Sequence, residues 1–412
     1  MKILLIAYYY PPIHSGGTER PHKMAAYLPQ FGHDVSVLTH CYTGTDLTNP
    51  ALLRIHDVSH NMHRIGIFRG IWLGYRLLVE GLTRAGRYSS IYSMWKRAVL
   101  NASERVMALA QPEAILATYP PVETLEIGLA LAERYHLPLI ADFRDGLLFE
   151  PIERKRIDQY PCIRDKYAQI ERDAVANAAG IITVSPPITD YFSTTYPGNQ
   201  VFTIFNGFDE QDDASRYATQ IDLEPEKFNI VHTGRFGGSY VGRNIAPFLN
   251  ALRSLLADHP ELREKLAIHL IGQLGDAELR LMQDLLQQRI IRYHGVCERR
   301  VVLAYQAQAD LLLLLTAVNR RSMITAKLME YLRTSRPILA LTFQTYAEVL
   351  VRTTGSGWVV HPEEEAQIAQ TLSRIIYDPG FSQSLSPSTE KIAAFSWTNQ
   401  MRRLGAILAT SL

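Results

Sequence analysis

Two kinds of apolar pattern alternate along this chain. Short apolar runs read as strands buried on both faces, and stretches with apolar residues three and four apart read as helices. Lys2 to Ala7 is the first such run, followed by a loop rich in Pro and Gly, a helical spacing from Glu19 to Phe31 and a second run at Val35 to Leu38. Ala114 to Ala117 and Pro138 to Ala141 predict further strands around a helix at Val122 to Tyr135, and Ile181 to Val184 and Val201 to Ile204 complete a first sheet. Residues Asn206 to Pro225 are polar and acidic and read as a linker. The pattern then restarts with a strand at Phe228 to His232, a glycine loop, and a helix carrying Ile245, Phe248, Leu249, Leu252, Leu255 and Leu256 on one face. Strands at Ala267 to Ile271, Leu311 to Leu315 and Pro337 to Leu341 follow. A β-loop-α-β opening repeated in this way predicts an α/β protein of two doubly wound, Rossmann-like domains. The expected bounds are 1–205, 206–385 and a closing helical segment 386–412.

Residues 43–110 fit this pattern less well. Ile71 to Leu82 is apolar and aromatic, with Trp72 and Tyr75, and Arg64, Arg69, Arg76, Arg84, Arg87, Lys96 and Arg97 lie around it. One reading is a helical insertion with a solvated basic face. The other is a peripheral membrane contact through residues 64–97, or a surface for an anionic lipid-linked molecule.

Composition narrows the class. A chain of 412 residues exceeds one ordinary core, which agrees with two domains. A formal net charge of +1 provides no global field to recruit nucleic acid, so no nucleic-acid partner is expected. Cys41, Cys162 and Cys297 are too far apart for a zinc site or redox pair and suit a reducing cytosol. The opening MKILLIAYYY is followed by Pro11-Pro12 and not by a small-residue cleavage site, so it reads as a first strand and not a leader. No run approaches the roughly 18 apolar residues of a membrane span. A cytoplasmic protein, at most peripheral at the inner face of the membrane, is the expectation.

Candidate chemistry lies where loops follow strands. Gly16-Gly17 follows the first strand, at the carboxyl edge where open α/β sheets bind ligands. It lacks the full dinucleotide fingerprint GxGxxG, which counts against a nicotinamide cofactor. The loop from His232 to Ser239 brings Gly234, Arg235 and Gly237 between a strand and a helix, with Arg243 at the helix start. Glycine backbone, a helix N-terminus and two guanidinium groups make a cradle for a diphosphate; the alternative is a tight turn with exposed arginines. The segment Arg321 to Ala340 predicts a helix from about Thr325 and then a buried strand. If phosphates sit at its N-terminus, Lys327 reaches them, and Glu330 lies roughly 7 to 8 Å further along the axis. That is where a nucleotide's ribose hydroxyls would be; the alternative for Glu330 is an ion pair with Arg333 one turn on. Asp142, Arg144 and Asp145 end a buried strand, where a carboxylate could orient a hydroxyl and Arg144 could balance charge, or the group could form a structural ion pair. The acidic run Asp209 to Asp213 reads as a solvated loop, so no metal is expected. His40 and His232 read as structural, and His14, before the glycine loop, is the remaining histidine candidate for catalysis.

Taken together, these elements resemble the GT-B glycosyltransferases of family 4, also called group 1. The resemblance spans nearly the whole chain: Gly16-Gly17, the Gly32 to Val35 stretch, Asp142 to Asp145, Val184-Ser185, Asn206 to Asp209, Gly234-Arg235, Lys327 with Glu330, and Phe395-Ser396-Trp397. It implies two domains facing across a cleft, with the acceptor in the first, the nucleotide in the second and the last helix crossing back. It further implies retaining, metal-independent transfer of a sugar from a UDP- or GDP-linked donor to a glycan, lipid-linked or small-molecule acceptor, as in cell-envelope polysaccharide synthesis. By the same resemblance Arg235 matches a diphosphate arginine, Glu330 a ribose-binding glutamate, and Arg243 the place of a phosphate-binding lysine. The family commonly has another glutamate eight positions before the ribose one; Ser322 stands there instead, which puts the usual sugar contact in doubt. Two alternatives remain open: an epimerase or hydrolase of sugar nucleotides on the same fold, and a non-catalytic sugar-nucleotide or glycan-binding protein.

Overall fold

The computed structural model describes residues 1–13, 16–41, 47–56, 66–210, 221–236 and 244–411. The chain divides into two compact units, Met1–Phe205 with Gln400–Leu412, and Asn206–Asn399. The first holds a parallel sheet of β1 (Lys2–Ile6), β2 (Asp34–Cys41), β3 (Leu52–His56), β4 (Ala114–Tyr119), β5 (Leu139–Phe143), β6 (Gly180–Thr183) and β7 (Val201–Thr203). Its spatial order is β3-β2-β1-β4-β5-β6-β7. The second holds β8 (Phe228–Thr233), β9 (Leu266–Ile271), β10 (Ile291–Gly295), β11 (Leu311–Val318), β12 (Ile338–Phe343) and β13 (Gly357–Val360). Their order, β10-β9-β8-β11-β12-β13, repeats the first. In both, the order reverses beside the first strand, between β1 and β4 and between β8 and β11. That is the doubly wound, Rossmann-like arrangement expected from the alternating pattern.

The apolar runs become central strands because each feeds two cores. In β11, Leu311, Leu313 and Leu315 enter one hydrophobic cluster with Phe248, Leu252 and Leu372, while Leu312 and Leu314 enter another with Leu328, Met329 and Tyr331. Alternation with period two requires this once helices cover both faces. In the first unit Ile6, Ile115, Ala117 and Phe143 pack with Trp95 and Phe192.

Some elements depart from expectation. The helix from Glu19 stops at Tyr27 and tightens into a 3₁₀ turn at Leu28–Phe31, because Pro29 lacks an N–H; Gly32 then turns the chain with φ of 84°. Strands β3, β10 and β13 went unpredicted. The region 43–110 contains β3 and helices at Gly66–Arg84, Ser93–Asn101 and Ser103–Ala110. Within the closing segment 386–412, residues up to Asn399 group with the second unit and only Gln400 onward with the first.

A buried polar chain fastens the segment after residue 220 to the second sheet. His269 donates from Nε2 to Asn229 Oδ1 at 3.1 Å, and its Nδ1 accepts from His294 Nε2 at 3.0 Å. Tyr305 donates to His294 Nδ1 at 3.3 Å and accepts from the Asp222 amide at 3.0 Å. Both nitrogens of His269 are thus committed in the neutral form. Burial first, then His294 and Arg292, push its pKa from 6.5 down to about 4. A base held below its unfolded pKa stabilises the fold fully above that pKa, and the contribution is lost as the pH falls toward the folded value. The gap corresponds to about 3 kcal/mol. Stability should therefore fall as the pH drops from 6.5 to 4, and His269→Asn should flatten that slope in pH-dependent urea denaturation. An unchanged slope in the variant would remove His269 from the acid sensitivity.

Candidate functional site

The second domain places its candidate groups at the carboxyl ends of β8 and β11, beside the reversal of strand order. After β8 the chain turns at Gly234, whose φ is 89°. The turn packs against a second glycine: the Gly234 amide donates to Ile271 O at 2.6 Å, and a Cβ on Gly272 would lie 2.6 Å from Gly234 O. Larger residues there would push the turn away from the sheet edge. Gly234 and Arg235 are exposed, and the Arg235 guanidinium donates to Gln273 Oε1. Phe236 goes inward and stacks on His232 at 4.1 Å between ring centroids.

The Ala326–Thr334 helix begins at this edge because Thr325 caps it, its hydroxyl accepting from the Leu328 amide at 3.2 Å. Thr325 therefore serves the helix. At the second position of the helix, Lys327 reaches back to the glycine turn: a Cβ on Gly234 would lie 3.3 Å from its Cε and 3.4 Å from its Nζ. The ammonium donates to His232 Nε2 at 3.0 Å, while Nδ1 of the same ring donates to Leu313 O at 2.8 Å. The carbonyl fixes the tautomer and leaves Nε2 as the acceptor that orients Lys327. Ser322 lies half-buried in the turn between β11 and this helix.

Glu330 is not paired with Arg333. Its Oε1 accepts from Arg299 Nη1 at 2.6 Å and its Oε2 from Gln306 Nε2 at 2.9 Å. Gln306 also donates to Thr233 Oγ1 at 3.1 Å, tying the carboxylate to the end of β8. Glu330 keeps 17% of its side chain exposed, and a carboxylate has about four acceptor positions, so hydroxyl donors can still be added. Gln273, Gln306 and Arg299 were missed in the sequence; the only signal was that Gly272-Gln273 directly follows the strand beside β8. Gly237 and Arg243 lie outside the described residues.

The first-domain candidates are corrected in part. Asp142 does not face a ligand: it is fully buried against Arg20, which donates to Oδ1 at 2.8 Å and to Oδ2 at 3.0 Å, while Thr118 donates to Oδ2 at 2.7 Å. Arg20 also donates to Ile204 O at 2.7 Å, so the group joins the Glu19–Tyr27 helix, β4, β5 and the end of β7. Asp142 is thus the structural ion pair. Arg144 is likewise committed to backbone, donating to Tyr119 O at 3.0 Å, Pro120 O at 2.7 Å and Gly17 O. Burial lowers its pKa, and Asp142 and Asp145 oppose that shift. A Cβ on Gly17 would lie 3.1 Å from Arg144 Nη1, so that glycine makes room for the guanidinium. Gly16 has open space around it, and Asp145 is half-buried. His14 lies outside the described residues.

Two Rossmann-like domains of this kind are the GT-B architecture. A model of the glycosyl transferase 4-like domain matches residues 15–207, and a model of the group 1 glycosyl transferases matches residues 227–378. The chain belongs to the family-4-like, group 1 glycosyltransferases and is an enzyme of that class. Among solved structures it is similar to HepE of Anabaena in complex with UDP and glucose, at 16% identity and a TM-score of 0.60, with 100% of each chain covered. It is also similar to the UDP-forming α,α-trehalose-phosphate synthase of Burkholderia vietnamiensis, at 12% identity and a TM-score of 0.66, again with 100% of each chain covered. The N-terminal domain of a trehalose-6-phosphate phosphatase of Candida albicans matches at 13% identity and a TM-score of 0.66, covering 100% of this chain and 97% of that one. At these identities the likeness is one of fold. No curated protein sequence matches the chain.

Glu330 offers a direct test. If Glu330 accepts from ribose hydroxyls, as the resemblance implies, Glu330→Gln, which keeps the shape but weakens acceptance, should lower UDP or GDP affinity by about 1 kcal/mol, about fivefold. The loss should shrink for the 2′,3′-dideoxy nucleotide. An equal loss with the dideoxy ligand in calorimetry would remove the ribose role.

Proposed function

We propose that this enzyme transfers a sugar, with retention at the anomeric carbon, from a UDP- or GDP-linked donor to a hydroxyl of a glycan, lipid-linked or small-molecule acceptor. In that reaction the bond from the anomeric carbon to the diphosphate breaks, a bond to the acceptor oxygen forms, and the hydroxyl proton passes to the departing diphosphate. The observation that carries the donor side is Lys327, held by His232 against the exposed Gly234 turn, with Glu330 one turn further on. The ammonium, the Arg235 guanidinium and the glycine backbone are suited to the diphosphate, and Glu330 to the ribose. HepE, with UDP and glucose in its structure, supports the same reading. Retention rests on the family resemblance.

With cationic side chains neutralising the leaving diphosphate, the reaction needs no divalent cation. Donor consumption measured in EDTA, with and without an acceptor extract, tests this. Consumption that requires the extract and survives EDTA is expected. Abolition by EDTA with rescue by Mn²⁺ would overturn metal independence, and equal consumption without acceptor would favour a hydrolase or epimerase.

The Gly66–Arg84 helix supports a lipid-linked acceptor presented at the inner membrane face of a cytoplasmic enzyme. Leu73, Leu77 and Leu78 are 53%, 64% and 58% exposed on it, with Arg76, Arg84 and Arg87 also exposed. Arg64 lies outside the described residues, as does the side chain of Arg69. No helix among the described residues is long and apolar enough to cross a membrane. The enzyme should sediment with anionic vesicles at low salt and release as salt screens the charges. Replacing Arg76, Arg84 and Arg87 by Ala should abolish sedimentation and leave UDP binding unchanged. Indifference of the wild type to such vesicles at low salt would leave the helix as an insertion with a solvated face.

A further inference from the structure

A cavity of about 960 Å³ opens in the first domain beside the Gly66–Arg84 helix, where the chain leaves β1 and β4. It lies at the reversal of strand order, the position where open α/β sheets bind ligands. Its wall is aromatic, with Tyr9, Trp72, Tyr88, Tyr92, Tyr119 and Tyr167 among the lining residues. Tyr9 and Tyr92 share a hydrogen bond at 2.7 Å between hydroxyls.

Among the charged residues of this wall Glu123 is the buried one. It stands in the first turn of the Val122–Tyr135 helix, lines the cavity and is 1% exposed. Its Oε1 accepts from the Tyr88 hydroxyl at 3.1 Å, while Oε2 meets no donor among the described residues. Burial pushes the carboxyl up to about 7, against the pull of the Ser90 and Tyr88 hydroxyls. A buried oxygen without a donor costs about 1–3 kcal/mol, so the cavity favours a ligand that brings one.

The charged groups of the wall narrow the ligand further. Arg156 is paired with Glu153 at 3.4 Å, and Arg76 lies over the Trp72 ring at 4.6 Å. Glu80 accepts from Tyr160 at 2.8 Å and is paired with Arg84 at 3.3 Å. The basic groups are therefore engaged, and once Glu123 ionises, above about pH 7, a phosphate or carboxylate beside it would meet like charge. A hydrocarbon chain would fill the space but leave Oε2 unsatisfied. A sugar ring without charge fits all three conditions: apolar C–H faces for tyrosine rings, hydroxyls that donate, and no charge to repel.

Resting on the glycosyltransferase reading, we propose that this cavity takes a neutral sugar ring of the acceptor, with Glu123 accepting a hydrogen bond from one of its hydroxyls. At pH 8, where Glu123 is ionised, the full chain would be examined by saturation-transfer NMR with the methyl glycosides of glucose, galactose and mannose, their 6-phosphates, and 1-octanol. UDP would be titrated in parallel by calorimetry. At least one methyl glycoside should receive saturation, and its 6-phosphate should bind much more weakly. Glu123→Gln should weaken the glycoside about fivefold and narrow its preference over the 6-phosphate, with UDP affinity unchanged. Tyr88→Phe, which loses only a hydroxyl, serves as a second variant and should also shift glycoside affinity. UDP binding without any glycoside binding, binding of 1-octanol alone, or glycoside affinity unaltered in both variants would each overturn the proposal. Failure of both UDP and GDP, each titrated in the same way, would instead overturn the donor reading, whichever way the glycosides behave.

Discussion

A parallel sheet covered by helices on both faces has only its strand ends available for polar chemistry. Every residue of β11 from Leu311 to Ala317 is buried, and β1, β4 and β5 are nearly as closed. Polar side chains inside such a sheet must be fully partnered, as His269 is within β9, and those that keep bonding capacity for a ligand lie where the strands stop. The His232, Lys327 and Glu330 group at the end of β8 follows from this, and so does the Arg20–Asp142 pair at the end of β5. The two groups meet the constraint differently. Arg20 and Asp142, with Thr118 and Ile204 O, are fully bonded and disappear from solvent, whereas Glu330 keeps part of its acceptor capacity exposed near the Gly234 turn.

This difference separates scaffold from site better than residue type does. Arg144 and Arg235 both follow a strand and both sit beside a glycine. The Arg144 guanidinium has three backbone carbonyls as acceptors and is buried, so moving it would uncover all three. Arg235 has a side-chain amide for a partner and lies at the surface, where a phosphate can replace that amide with a stronger, charge-assisted bond. Arg144 therefore maintains the shape of the Gly17 loop, and Arg235 remains exchangeable.

How much was legible in the sequence follows from the range of the signals. Central strands such as Leu311 to Leu315 were legible because continuous apolar runs need no partner to be recognised. The edge strands β3, β10 and β13 were not: Ile291–Gly295 mixes Arg292 and His294 into five residues, since an edge strand is buried on fewer sides. The Lys327 to Glu330 spacing was legible because helix geometry fixes it locally. The role of Asp142 was not, because its partner Arg20 lies 122 residues earlier and only the fold brings them together. Glu123 was hidden for another reason. An acid in a helix's first turn reads as a favourable dipole partner, and nothing in the sequence tells that it is buried in a ring of tyrosines.

The repeated strand order makes the contrast between the two domains informative. In each, the reversal beside the first strand leaves a crevice at the same topological place, so backbone alone would give the same preference for negative groups at helix N-termini. The second domain reinforces that preference with Lys327 and Arg235. The first opposes it, placing the Glu123 carboxyl at the start of the Val122–Tyr135 helix and surrounding it with aromatic rings. Once ionised, a carboxyl in that position opposes the positive end of the helix, which on the proposed reading favours uncharged hydroxyl donors over anions. On the proposed reading the same fold element holds opposite ends of a group transfer, with the selection made by one or two side chains at the first turn of a helix.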